Sequence, residues 1–200
     1  MDRIRRYQPY GRYLIVSGNG MTIELYKKNK PLINSVLTGT AYLLFCWSLD
    51  FGDDSKMLFY VLMMFLPGLT FPITTTYYNI TSDIESRVPP HIILSVLIYH
   101  GSVWILSAEG RVKYITILAG LSGSLFYSLV TKYFLKKDLT YFQIALTSIL
   151  SGLAFVPIPS LIKGMDGAAI VFGLPVFIWT IINGQLMNVE YRNHYRQQRV

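Results

Sequence analysis

Three histidines occur in this chain, and one of them, His100, stands inside an apolar run, LIYHGSVW. An imidazole placed there can act as an acid or a base, or it can stay neutral and hydrogen-bond a neighbouring helix. The other polar groups inside apolar runs carry no charge. The stretch FLPGLTFPITTTYYN holds Pro67, Pro72, Thr70, Thr74, Thr75, Thr76, Tyr77 and Asn79, and the last apolar run adds Asn183 and Gln185. Two prolines five residues apart each remove a backbone donor and crowd the preceding turn. A broken, hydroxyl-rich helix is tolerated in lipid only where protein or water surrounds it. These features predict that Pro67, Pro72, Thr74, Thr75, Thr76, Tyr77, Asn79, His100, Asn183 and Gln185 line a pore or a pocket for a small polar solute.

Other chemistry is missing. All eleven carboxylates fall in tails, loops or the ends of apolar segments, whereas ion-coupled carriers and intramembrane hydrolases keep an ionisable residue within the span. The histidines show no HExxH spacing, and Cys46 is the single cysteine, so no disulfide, zinc or haem site is expected. No GxSxG, Walker-type or GxGxxG pattern appears. No catalytic residue, metal or cofactor is therefore assigned. An intramembrane enzyme built on His100 ranks behind two non-catalytic readings. The first is an oligomeric membrane subunit forming a pore or a platform for a cytoplasmic partner, an arrangement found among bacterial stress and phage-defence effectors. The second is a small-solute carrier or substrate-binding membrane subunit.

The elements that would position these residues follow from composition. The chain has 200 residues, 52% hydrophobic and 14% charged, with mean hydropathy +0.39. Soluble domains are about a quarter charged, so several bilayer-spanning segments are expected. Six apolar runs cover about 32–49, 57–78, 92–107, 112–134, 141–161 and 168–187. The third is short for a span. The expected fold is an all-α polytopic membrane protein of about six transmembrane helices over residues 31–188. Residues 1–30 form a basic cytoplasmic segment with a β-hairpin, and 189–200 a basic cytoplasmic tail. The hairpin rests on Gly18-Asn19-Gly20 between RYLIVS and MTIELYK, two β-rich arms around a turn suited to positive φ.

The net charge of +7 lies beside the apolar runs, which suggests topology and anionic lipid and not nucleic acid. With both termini inside, only Lys56, Arg111, Lys113 and Lys163 fall on the far side, as the positive-inside rule asks. A multi-pass protein of a bacterial inner membrane is the expected setting. Arg3, Arg5, Arg6, Lys27, Lys28, Arg192 and Arg196 are expected to touch lipid or the partner. Gly120, Gly123, Ser124, Ser151 and Gly152 mark faces where helices of one chain, or of a homo-oligomer, approach closely.

Overall fold

The computed structural model describes residues 18–48, 57–78, 80–106, 115–156 and 172–197. Seven helices occur among them: α1 (Gly18–Trp47), α2 (Met57–Thr75), α3 (Ser82–Glu85), α4 (Val88–Leu106), α5 (Thr116–Phe134), α6 (Tyr141–Ala154) and α7 (Leu174–Gln197). The long helices close a ring in which each packs on the next: α1 on α2, α2 on α4, α4 on α5, α5 on α6, α6 on α7 and α7 on α1.

Two expectations are overturned. Gly18, Asn19 and Gly20 are the first residues of α1, and 21–27 continue that helix, so no hairpin forms there. Among the described residues there is no strand; residues 12–17, the first proposed arm, lie outside them. The physical reason is cooperativity. Once the following apolar run is helical and packed, each further residue adds a hydrogen bond without a new nucleation cost, whereas a lone two-stranded hairpin is marginal.

The second correction concerns the six spans. Among the described residues one helix is long and apolar enough to cross a membrane, α4 through Val88–Ile105. Helix α6 has 14 residues, about 21 Å at 1.5 Å per residue, short of a hydrocarbon core about 30 Å thick. Helices α1 and α7 include Glu24, Lys27, Lys28, Lys30, Glu190 and Arg192, and α7 runs through most of the segment expected to be a tail. The third apolar run, expected to be short, is the one that passes. Pro89 and Pro90 fit the first turn of α4, where no backbone donor is needed, and the helix therefore begins at Val88.

Helix α1 breaks at Asn29 (φ −125°, ψ 23°), two residues before Pro31. Proline has no N–H to give the carbonyl four residues back, which here belongs to Lys27. The Tyr191 hydroxyl of α7 donates to that carbonyl at 2.9 Å. Close packing elsewhere depends on missing side chains. A Cβ on Gly120 would stand 2.2 Å from the Ser151 carbonyl oxygen, and one on Gly184 would stand 2.0 Å from Ser35 Oγ. Helix α6 starts with a capping box: Gln143 N–H donates to Thr140 Oγ1 at 3.2 Å and Thr140 N–H to Gln143 Oε1 at 2.9 Å. At the centre, Phe71, Tyr127 and Trp179 meet edge to face, with ring centroids 5.1–6.0 Å apart.

Candidate functional site

The ends of the helices sort by charge. The start of α1, the end of α2, α3, the start of α4, the α5–α6 connection and the end of α7 meet at one end of the bundle. They are joined there by Lys136–Asp83 (3.0 Å), Lys137–Glu190 (3.8 Å) and the bond from Tyr191 to Lys27. Every charged side chain described in the structure belongs to this end. The uncharged remainder of each long helix extends away from it.

At the charged end the chain turns after α5 through Lys136, whose φ of 51° is left-handed. That turn sends Lys136 outward to Asp83 and Lys137 inward, where it is buried. The Lys137 ammonium donates to the Tyr78 carbonyl at 2.9 Å and sits 3.6 Å from the centre of the Tyr78 ring. The Tyr78 hydroxyl lies 2.5 Å from Glu190 Oε2 and 2.7 Å from the Met187 carbonyl, so one hydrogen serves two acceptors. Burial pulls the Lys137 ammonium down to about 8, with the Glu190 carboxylate opposing the shift. Burial, and then Glu190, push the Tyr78 phenol well above its ordinary range. On the exposed side, the Thr81 hydroxyl and then Lys136 hold the Asp83 carboxyl below the usual carboxylate range.

Beside this cluster His91 is fully buried. Its Nδ1 lies 2.8 Å from the Tyr77 hydroxyl and its Nε2 3.0 Å from Thr131 Oγ1, which ties α4 to α5 and to the end of α2. Tyr127 carries the polar contact inward, with its hydroxyl 2.5 Å from Thr76 Oγ1. Deeper still, Asn183 joins three helices. It accepts from Ser124 Oγ at 2.8 Å and donates to Ser151 Oγ at 3.1 Å and to the Trp179 carbonyl at 2.9 Å.

The residues expected to line a path are dispersed. Pro67 and Pro72 are buried within α2. Thr74 and Thr75 turn their hydroxyls back onto the helix, to the carbonyls of Thr70 (2.9 Å) and Phe71 (2.5 Å). Thr74 faces α1, where Thr38 Oγ1 is 3.0 Å from its hydroxyl and Asn34 donates to its carbonyl at 2.7 Å. Asn79 lies outside the described residues. His100 is stacked on Phe65 with centroids 4.7 Å apart, and its Nε2 accepts from Trp104 Nε1 at 2.7 Å. That acceptor role leaves a neutral ring's proton on Nδ1, which is buried without a partner. Gln185 is exposed beside an apolar groove of about 380 Å³ between α6 and α7.

Gly120 and Gly152 sit in the α5–α6 contact, Gly123 against Ser102 of α4, and Ser124 and Ser151 on Asn183. Lys27, Lys28 and Arg192 share the charged end, and Arg196 falls in the last turns of α7; Arg3, Arg5 and Arg6 lie outside the described residues. The interior cavity bounded by Gly68, Ser95, Tyr99, Ser102, Tyr127 and Trp179 measures about 20 Å³, space for one water.

Sequence reasoning missed Lys137, Glu190, Tyr78 and His91. Lys137 and Glu190 read as loop and tail charges, and no local pattern marks them as buried. A weak signal was available in Glu190-Tyr191-Arg192, where an aromatic residue stands between opposite charges. No family model, curated protein or solved structure matches this chain.

Proposed function

We propose that this protein is a non-enzymatic membrane subunit, a closed helical platform held in lipid, with its charged end presented to a partner at the membrane surface. The supporting observation is the inverted distribution of side chains. Phe142 is 76% exposed, Trp47 73% and Trp104 67%, while Ser124, Ser151, Thr76, His91, Asn183 and Asn188 are fully buried. Soluble domains rarely expose large contiguous apolar surfaces. In lipid, by contrast, helix contacts rely on small and polar residues because burying leucine brings no gain. Helix α4 is the crossing element of this reading, and its exposed Ile93, Leu97 and Trp104 turn to acyl chains.

The platform reading is preferred over the carrier and the pore because the interior is packed to a one-water cavity and the threonines bond to their own helix. The test is reconstitution into neutral phosphatidylcholine vesicles containing a self-quenched dye. The protein should float with the vesicles, resist extraction by alkaline carbonate, and leave the dye inside. Release into carbonate would refute the lipid-held platform, and dye leakage would refute its closed interior.

A further inference from the structure

The break in α1 leaves an open cavity of about 270 Å³ lined by Glu24, Leu25, Lys28, Asn29 and Arg192. Among the described residues neither of its two cations, Lys28 and Arg192, is paired with an anion. The ion pairs among the described residues are Lys136–Asp83 and Lys137–Glu190, so Glu24 lines the same cavity without pairing with either Lys28 or Arg192. Arg192 has five N–H donors in a fixed fork. Among the described residues Nη2 alone is bonded, to Asn29 Oδ1, and Nε is buried without a partner. Asn29 therefore holds the guanidinium through one N–H of Nη2 and leaves the remaining terminal N–H groups, on Nη1 and Nη2, for another acceptor. Such a fork matches the paired oxygens of a phosphate. The exposed Leu25 side chain lines the cavity and offers apolar surface beside the charge.

We infer that the cavity at the α1 break is a phosphate site and that its occupant is the headgroup of an anionic phospholipid, held by Lys28 and Arg192. The lipid identity rests on the proposed membrane setting; the phosphate chemistry does not. Glu24 opposes the ligand and keeps the site weak enough to exchange.

The test uses the full chain in detergent micelles, titrated with phosphatidylglycerol, with phosphatidylcholine or with inorganic phosphate, and followed by thermal shift and by native mass spectrometry of retained lipid. Phosphatidylglycerol should stabilise the protein and be retained in preference to phosphatidylcholine. Lys28→Gln should weaken this binding about fivefold, the effect of one basic residue near an anionic surface, and Glu24→Gln should tighten it by a similar factor. Lys28 and Glu24 are exposed, so both variants should fold. Arg192→Lys keeps the charge, loses the fork, and should also weaken binding. Equal retention of both lipids, or no response to Lys28→Gln and Glu24→Gln, would overturn the site. Stabilisation by inorganic phosphate with no lipid preference would overturn the lipid as occupant. Carbonate extraction of the vesicle-bound protein would instead refute the membrane setting, a result distinct from either.

Discussion

The buried Lys137–Glu190–Tyr78 cluster makes a prediction that can be worked through in numbers. Lys137 is held at about 8, against 10.5 for a free lysine, so its charged form costs folding on the order of 3 kcal/mol. The sign follows from linkage. Between about pH 8 and 10.5 the unfolded chain binds the Lys137 proton and the folded chain does not, so the Lys137 contribution to stability rises with pH across that window. Phenols held protonated by burial, Tyr78 among them, oppose it above about pH 9, where unfolded tyrosines begin to ionise. Below pH 8 both states are protonated and the full cost is present. Glu190 opposes this cost from 3.8 Å, a separation at which an opposite charge contributes about 4 kcal/mol at an effective dielectric of 20.

Glu190→Gln keeps an acceptor for the Tyr78 hydroxyl but removes the charge. It should cost about 3 kcal/mol at pH 7, in the range for breaking a buried pair, and should move the onset of the alkaline rise below pH 8. Lys137→Met should abolish the rise. The double variant should recover most of the loss, because two matched apolar or neutral groups need no charge compensation. Denaturant unfolding in micelles at pH 7 to about 9, below the ionisation of free tyrosine, followed by tryptophan emission, reads all four proteins. A flat wild-type profile, or a rise that survives in Lys137→Met, would refute the reasoning.

Four other substitutions test the fold. Gly120→Ala drives a methyl into the Ser151 carbonyl and should cost about 3 kcal/mol, visible as a lowered unfolding midpoint; an unchanged midpoint would show that α5 and α6 are not in backbone contact there. Tyr191→Phe removes the donor to the Lys27 carbonyl and should cost about 1 kcal/mol; Pro31→Ala, which restores a backbone donor there, should shrink that cost in the double variant. Lys136→Gly relieves a left-handed backbone and should stabilise by about 1 kcal/mol, less the small contribution of the exposed pair with Asp83; a loss in thermal unfolding would contradict this.

Particular residues show what could be read from the chain. The helical nature of the segments around Pro67, Thr131 and Ser148 was legible because apolar runs of that length have few other solutions. The close approach at Gly120 was legible as a small-residue face, though its partner was not. The N-terminal hairpin failed because Gly18-Asn19-Gly20 is locally suited to a turn, while the packed helix that follows extends backward through it. The number of spans failed because the apolar runs do not show where helices end. Lys137 and Glu190 lie 53 positions apart, and only the ring closure of α5, α6 and α7 brings them together. The threonines of α2 mislead for the opposite reason: their hydroxyls are satisfied within the same turn, a local contact that hydropathy does not register.

The most direct test of the central claim uses the tryptophans in reconstituted vesicles. Trp104 is exposed and anchored by its bond to His100, whereas Trp179 is buried in the ring. In a variant retaining only Trp104, lipids brominated on their acyl chains should quench its emission strongly and aqueous iodide should not, while a variant retaining only Trp179 should respond to neither. Iodide quenching of Trp104 with no response to brominated lipid would contradict the account.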